Sequence, residues 1–316
     1  MQRRPSNIQG GDEFWIDVQK KAFTRWANSY LSDRAQVITD LYTDLGDGLR
    51  LISLLELLTD APFPSKYTKE PRFRIHKLEN LNMVFGFLAK EHVMVTNIGS
   101  SDILDGNGKL ILGLMWTIIK RYQVGDIAVD GVSGKEGLLL WCNQLLAPLH
   151  FHVSNFTTNW SNGVAFCYLV HALQPALLPN VVDWCDLHSA MENLATAFSL
   201  LEAHFAIPSL LSPEDLQGKV DEKSVLTYVS MVYQECASGN GLPPSIQEHH
   251  DVPVSSGTTQ WTAAFESAAH VPTWATPFTK RDQPLVAKTQ VSFAALGPIM
   301  ALLYPAKGPI HKPSTE

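Results

Sequence analysis

An internal repeat constrains the fold of this chain more than any other feature of its 316 residues. The sequence around Trp26 recurs around Trp141, and the apolar run after Gly48 recurs after Gly163, both at an offset of 115 residues. Two further segment pairs keep nearly the same spacing, 78–81 with 191–194 and 101–104 with 213–216. A spacing that drifts so little over a whole domain indicates a duplicated unit with small changes in its loops.

Each copy has the residue pattern of a helical bundle. Apolar side chains recur every fourth residue from Val18 to Tyr30, which predicts a buried helix stripe with Trp26 in the core, and Trp141 by the repeat. The segment 109–122 is apolar around most of its circumference, so we expect a central helix enclosed by neighbours, with a counterpart beginning near Asp221. Neither copy alternates polar and apolar residues as a strand does. The predicted fold class is all-α, with two tandem bundles.

Several classes of function are disfavoured by composition and motifs. No apolar stretch follows Arg3 and Arg4, and no run approaches the ~20 apolar residues that span a bilayer, so we expect a cytoplasmic chain without a transmembrane segment. The four cysteines share no CxxC spacing, and no motif places a nucleophile or a metal beside a base. We therefore expect reduced buried thiols, no metal site, no cofactor, no nucleic-acid partner and no enzyme activity.

Charge is distributed unevenly along the chain. Residues 1–125 carry 16 Lys and Arg against 14 Asp and Glu, whereas residues 126–236 carry 3 against 12. Long-range attraction speeds encounter only where the sign of the charge is favourable. An acidic partner is therefore expected to approach the first half of the chain.

The last 80 residues differ in composition from the rest. They hold ten of the nineteen prolines, with Gly, Ser and Thr between them, which predicts a disordered tail or linker whose partner is unknown. A short amphipathic helix at 259–271 is the alternative for part of it. The predicted segments are an extension at 1–14, domain 1 at 15–125, a linker at 126–134, domain 2 at 135–236 and the tail at 237–316.

Two long motifs in the first copy resemble a known family. The stretch 19–28, QKKAFTRWAN, is similar to the opening signature of actinin-type actin-binding domains, which consist of two calponin-homology domains. The stretch 95–119 resembles that family's second diagnostic block, and 155–163 and 221–229 resemble a second calponin-homology domain. The resemblance covers about residues 15–236.

The resemblance implies binding to the side of F-actin, mostly through domain 1, in the cytoplasmic cytoskeleton. In this family the first and last helices of domain 1 and the first helix of domain 2 contribute to the actin surface; here these are 19–30, 109–123 and 137–146. A further contact region in relatives corresponds to a basic cluster before the Leu-Glu-Asn motif. The predicted actin-binding residues are Gln19, Lys20, Lys21, Thr24, Arg25, Asn28, Lys66, Lys69, Arg72, Arg74, Lys77, Lys109, Gly113, Thr117, Lys120 and Arg121.

The resemblance also implies a contact that closes the two domains on each other. In relatives the tryptophan of the last helix of domain 1 stacks on a basic residue of domain 2, and the matching positions are Trp116 and Lys223. A cation over an indole contributes ~0.5 to 2 kcal/mol. We therefore expect the acidic second domain to regulate access to the first.

Alternatives remain for the cluster and for the function. The basic cluster is also explained as a solvated loop with no binding role. Some related second domains bind inositol lipids, which leaves a phosphoinositide-sensitive membrane adaptor with weak lipid binding as an alternative. Only Lys135, Lys219 and Lys223 are basic in domain 2, and lipid surfaces favour clustered cations, so charge argues against it. A microtubule-binding or signalling role is a third reading.

Overall fold

The computed structural model describes residues 14–237, and these residues are mostly helical. Within that range the predicted all-α class is confirmed. The N-terminal extension before Phe14 lies outside the described residues, and so does the tail after Ala237, including the alternative helix at 259–271.

Domain 1 is built on six helices followed by one π-helical turn. Its elements are α1 (Phe14–Leu31), α2 (Leu41–Asp44), α3 (Leu49–Thr59), α4 (Arg74–Lys90), α5 (Ser100–Leu104), α6 (Gly108–Ile119) and the π-helical turn Lys120–Val124, with a 3-10 turn at Ser32–Arg34. Six of the twelve residues of α6 are buried, in agreement with its predicted central position.

Domain 2 repeats the arrangement after a short connection. Its elements are α7 (Gly134–Leu146), α8 (Val164–Leu173), α9 (Val181–Leu187), α10 (Ala190–Phe205) and α11 (Glu222–Ala237), with 3-10 turns at Ala147–Leu149, Thr158–Trp160, Pro175–Leu177 and Pro213–Leu216. Trp26 and Trp141 are both buried, as the sequence predicts.

Two asparagines at equivalent positions of the repeat make the same pair of hydrogen bonds. The side-chain amide of Asn28 donates to the carbonyl of Ile38 at 2.9 Å and accepts from its N–H at 2.7 Å. Asn143 makes the same pair of bonds to Val153, each 2.9 Å long. In each domain the first helix thus pins the loop that follows it, which explains why this asparagine recurs.

Gly48 and Gly163 explain another part of the repeat. Both precede a helix with a positive φ, +78° and +76°, a conformation that side chains other than glycine rarely adopt. Each also lies against another helix of its domain, Gly48 against α4 and Gly163 against α10. A Cβ at Gly163 would stand 2.6 Å from the backbone nitrogen of Leu194, and one at Gly48 would stand 3.0 Å from the Cβ of Asn80. Close helix approach therefore requires glycine at both positions.

The connection between the domains contains the two described strands. Ala128–Val129 (β1) pairs antiparallel with Val132–Ser133 (β2), across a turn at Asp130 and Gly131. Both turn residues have positive φ, 49° and 81°, as an Asp-Gly hairpin turn requires. The linker predicted at 126–134 thus contains a small hairpin, because its Asp-Gly pair fits this turn.

A buried amide joins the domains at the π-helical turn. Gln123 is fully buried, and its Oε1 accepts hydrogen bonds from Trp26 Nε1 at 2.9 Å and from the Tyr30 hydroxyl at 2.7 Å. Its Nε2 donates to Oε1 of Gln234 on α11 at 2.8 Å, and Gln234 Nε2 donates back to the Gln123 carbonyl at 3.2 Å. Burial raises the pKa of Tyr30 to about 12, so its hydroxyl remains a donor. One polar network therefore joins α1, the π-helical turn at the end of domain 1, and α11 of domain 2.

We expect Gly163→Ala to destabilise domain 2 by at least about 2 kcal/mol, because it adds a left-handed backbone penalty and a contact with the backbone of α10. Gly218→Ala is the matched control, since Gly218 has a φ of +83° but nothing within 4 Å of an added Cβ. It should cost about 1 kcal/mol. Urea unfolding followed by circular dichroism measures both. Equal losses would contradict the role given to close helix approach.

Candidate functional site

The outward face of α1 carries several of the predicted actin contacts, and domain 2 covers part of it. Lys21 Nζ lies 2.7 Å from each carboxylate oxygen of Asp215 and 3.3 Å from the hydroxyl of Ser212. The Asp215 side chain is only 8 % exposed, so this ion pair is shielded from water on the acidic side. The Coulomb attraction between shielded charges is stronger than between solvated ones, but the hydration that both charges regain on separation offsets much of it.

Two more residues of the same face bind domain 2. Gln19 is buried, and its amide nitrogen donates to Oδ1 of Asp221 at 2.8 Å. Arg25 is exposed, yet its guanidinium donates to the carbonyl of Ser209 at 2.8 Å. We call Gln19, Lys21 and Arg25 the covered set, because in this arrangement domain 2 occupies their polar groups.

The other predicted residues of α1 bond within domain 1. Lys20 pairs with Asp40 at 3.1 Å and lies 4.2 Å from the ring centroid of Tyr42. The Thr24 hydroxyl donates to the carbonyl of Lys20 at 2.6 Å. Asn28 holds the loop that follows α1, which gives its amide a structural role. Lys20 is half-exposed, and it is the charged residue among these three.

The predicted closing pair is in contact. The ammonium of Lys223 lies 5.6 Å from the centroid of the Trp116 ring, within the range of a cation–π interaction. Trp116 also stacks on Phe23 of α1, with ring centroids 6.3 Å apart and planes inclined by 15°. The indole thus joins α1, α6 and the first turn of α11.

The surface of α6 is open at both ends. Lys109 in its first turn is exposed, and Lys120 and Arg121 in the π-helical turn are exposed as well. Arg121 pairs with Asp126 at 3.1 Å. Between the ends, Gly113 and Thr117 are half-exposed, and the Thr117 hydroxyl donates to the Gly113 carbonyl at 2.8 Å. Two partly exposed, uncharged residues thus lie between the cationic ends of the helix.

The basic cluster, residues 66–77, lies on the surface, and a buried asparagine of α4 holds its backbone. The buried amide of Asn80 accepts from the N–H of Thr68 and donates to its carbonyl, both at 2.9 Å. Arg74 makes a bidentate pair with Asp105, at 2.6 and 3.0 Å, and this pairing lowers the pKa of Asp105. Arg72 pairs with Glu70, but both side chains are more than three-quarters exposed. Lys66, Lys69, Arg72 and Arg74 are exposed, and Lys77 is half-exposed.

Two apolar side chains stand beside these cations. Phe73 is 67 % exposed and Ile75 is 57 % exposed, at the beginning of α4. Neighbouring apolar side chains that form a large exposed patch rimmed by polar residues can mark a protein contact, whereas single ones are common on surfaces. Ile75 was not among the residues expected from the sequence, since an isoleucine in a helix is normally assigned to the core.

The first helix of domain 2 offers less surface than expected from the resemblance. Within α7, residues Gly137, Leu138, Trp141, Cys142, Leu145 and Leu146 are buried. The remaining side chains of 137–146 are half-exposed and uncharged, among them Leu139, Leu140 and Gln144. A contact role for this helix remains a prediction.

The domain 2 partners of α1 were missed by sequence reasoning. Asp215 and Asp221 stand among twelve acidic residues in 126–236, and nothing in their spacing marks them. Asp215 also caps its own 3-10 turn by accepting from the N–H of Ser212 at 2.7 Å, and that capping box was the only visible signal. Likewise, no sequence signal pairs Gln123 with Gln234.

Residues 14–237 contain no cluster of three or more His, Cys, Asp or Glu side chains suited to a metal ion. In the same range, no helix is both long enough and apolar enough to cross a bilayer.

Comparisons with known proteins agree with the duplicated fold. The family model of the calponin homology (CH) domain matches residues 17–124 and again residues 133–238. Alpha-actinin-like protein 1 of Schizosaccharomyces pombe is 42 % identical over 221 residues, which cover 68 % of this chain and 35 % of that protein. Alpha-actinin-1 of Homo sapiens is 38 % identical over 227 residues, covering 70 % of this chain and 25 % of that protein.

Among solved structures, the actin-crosslinking core of Schizosaccharomyces pombe fimbrin matches with a TM-score of 0.59 at 25 % identity, covering 73 % of this chain and 52 % of that one. The chain thus spans only about a quarter to a third of the length of these alpha-actinin relatives. The two family matches together cover most of the chain. The chain belongs to the calponin homology family and carries two of its domains in tandem.

Proposed function

We propose that this chain binds the side of actin filaments, mainly through domain 1, while domain 2 controls access to part of the binding surface. The proposal places it in the cytoplasmic cytoskeleton, with no catalytic role. The relatives named alpha-actinin and the actin-crosslinking core of fimbrin support the choice of partner.

The observation that carries the proposal is the covered set. Three of the predicted contacts, Gln19, Lys21 and Arg25, are engaged by acidic or carbonyl oxygens of domain 2. An acidic filament would offer oxygens of the same kind, so domain 2 and the filament would compete for one face of α1. The basic cluster and the cationic ends of α6 remain open, and they can meet the filament before the domains separate.

Co-sedimentation of the full chain with actin filaments at low ionic strength tests the proposal. Microtubules and anionic liposomes are run in parallel, because a microtubule-binding protein or a lipid adaptor would appear in those pellets. We expect the chain in the actin pellet alone. If it stays in the supernatant with actin, even when Lys223 is replaced by Glu to separate the domains, the proposal fails.

Reversing the charge of two exposed lysines in the basic cluster should weaken actin binding. For Lys66→Glu/Lys69→Glu we expect a roughly three- to thirty-fold higher Kd at low salt, since each lysine contributes a solvated attraction and each glutamate adds a repulsion. The difference should shrink as salt is raised, because screening affects exposed charges most. Quantitative co-sedimentation over a salt series measures it.

Lys90→Glu is the matched control for this variant. Lys90 is exposed and ends the same helix, α4, whose N-terminus borders the cluster. Its reversal changes the net charge without altering the cluster, so the Kd should stay within about two-fold of the unaltered chain. A comparable loss in Lys90→Glu would make the cluster a solvated loop with no specific contact.

Removing the contact between Lys223 and Trp116 should strengthen actin binding. A cation–π contact of ~0.5 to 2 kcal/mol shifts an open and closed balance roughly two- to thirty-fold, and apparent affinity rises with the fraction of open molecules. We therefore expect Lys223→Glu to lower the Kd by a factor in this range. Co-sedimentation gives the Kd, and small-angle X-ray scattering reports the accompanying opening as a larger radius of gyration.

Two further variants separate opening from a change of charge. Lys219→Glu alters the charge of domain 2 equally, but Lys219 is exposed and the cation over Trp116 is Lys223, so this variant should bind actin with an unchanged Kd. Gln234→Leu removes both hydrogen bonds to Gln123 with no change of charge, and it should act in the same direction as Lys223→Glu. Unchanged or weaker binding in both Lys223→Glu and Gln234→Leu would contradict control by domain 2.

A further inference from the structure

A serine of domain 2 lies beside the ion pair that joins the two domains. The hydroxyl of Ser212 is 3.3 Å from Nζ of Lys21 on α1, and the same Nζ pairs with both carboxylate oxygens of Asp215. Ser212 is half-exposed, and the Lys21 side chain is 35 % exposed. A group added to this hydroxyl would therefore stand at the boundary between the domains, within reach of a cation of domain 1.

The backbone around Ser212 suits an enzyme that modifies side chains. Residues 206–212 form neither a helix nor a strand between the end of α10 and the 3-10 turn Pro213–Leu216. Ser212 itself is extended, with φ −105° and ψ 158°, as the following proline favours. Protein kinases bind the residue that they modify in an extended segment, so this serine has the backbone shape of a kinase substrate.

The sequence after Ser212 adds a recognition pattern. Residues 212–215 read Ser-Pro-Glu-Asp, and no other serine of the chain directly precedes a proline. A serine followed by proline is the pattern that proline-directed kinases read. Glu214 is exposed, whereas Asp215 is buried beside Lys21. Ser212 is therefore the serine of this chain that such an enzyme would select.

Two neighbouring hydroxyls do not share this setting. Ser224 is fully buried and donates to the carboxylate of Asp221. Ser209 is half-exposed, but its hydroxyl lies 3.3 Å from the carboxylate of Glu202, which would repel an added anion. Of these three serines, Ser212 is the one whose hydroxyl contacts a cation of domain 1.

Two cations of α1 face this part of domain 2. Lys21 contacts Ser212, and Arg25, one helical turn further on, donates to the carbonyl of Ser209 at 2.8 Å. A phosphate on Ser212 would carry about −1.5 to −2 charges at neutral pH and would attract both cations. Asp215 repels the same phosphate, but both belong to domain 2, so this repulsion is present whether the domains are closed or apart. The attraction to α1 is gained only on closure.

We propose that Ser212 is a phosphorylation site and that its phosphate holds the two domains together more tightly by pairing with Lys21. A protein kinase that reads Ser-Pro transfers the γ-phosphoryl group of ATP to the hydroxyl oxygen. The bond between that oxygen and phosphorus forms, the bond from phosphorus to the oxygen of the β-phosphate breaks, and ADP leaves. The hydroxyl proton passes to a base of the kinase.

Tighter closure would keep the covered set away from a filament. This consequence rests on the proposed function, whereas the modification and the closure do not. A phosphate that faces cations makes one to three charge-assisted hydrogen bonds, so we expect phosphoserine at 212 to raise the Kd for actin roughly three- to thirty-fold. The effect is opposite in direction to that of Lys223→Glu.

The first experiment tests whether the site can be modified. The full chain and its Lys223→Glu variant are incubated with a proline-directed kinase and Mg·ATP, and their peptides are mapped by mass spectrometry. We expect a phosphopeptide that contains Ser212, with a higher yield in Lys223→Glu because opening exposes the serine further. Ser212→Ala should remove this phosphopeptide. Absence of phosphate at Ser212 in both chains would overturn the proposal.

The second experiment measures closure directly, with phosphoserine incorporated at position 212 during translation. In the Lys223→Glu chain, this phosphoserine should lower the radius of gyration in small-angle X-ray scattering toward that of the unaltered chain. Lys21→Gln should remove most of the effect, because the contacting cation is gone. Phosphoserine at position 154 is the matched control: Ser154 is exposed and hydrogen-bonds to Asn159 within domain 2, so the radius should not change.

Two scattering results would also overturn the proposal. One is an unchanged or larger radius with phosphoserine at 212, and the other is an effect of equal size in Lys21→Gln. Co-sedimentation with actin is measured separately on the same proteins. If none of them binds filaments, the proposed function fails, while the scattering data still decide whether the phosphate closes the domains.

Discussion

The buried amide of Gln123 is the interaction on which the closed arrangement depends. Its oxygen already accepts two donors from α1, so its nitrogen needs an acceptor, and Gln234 of domain 2 supplies it. A buried amide left without that partner would lose a hydrogen bond in a dry environment, unless water entered. The network therefore fixes where α11 lies along α1. The positions of Asp215, Asp221 and Lys223 against domain 1 follow from that placement.

Closure divides the predicted actin surface into two parts with different chemistry. The covered set faces carboxylate and carbonyl oxygens of domain 2, whereas the basic cluster and both ends of α6 face solvent. In the proposed function, long-range attraction acts through the open cations and α1 joins only after the domains part. Within this proposal, Asp215 of the acidic second domain neutralises Lys21 on the face that a filament would otherwise bind.

Much of the fold could be predicted from the sequence, because its strongest signals are local or repeated. The recurrence of Gly48 at Gly163 reflects one steric demand met twice, and the apolar stripe of α1 identified Trp26 as core. The contact between Lys223 and Trp116 was predicted from the family resemblance. The partners of the covered set were not, because ion pairs such as Lys21 with Asp215 join residues 194 positions apart and leave no periodic trace.

The short hairpin between the domains limits how far domain 2 can move from α1. Only residues 125–133 separate the π-helical turn from α7, and four of them pair as β1 and β2. Even if fully extended, nine residues reach only about 30 Å. Domain 2 thus stays at an effective concentration on the order of millimolar beside its docking face. In the proposed function, domain 2 therefore stays within reach of α1 after it is released, and a filament has to compete with it for that helix.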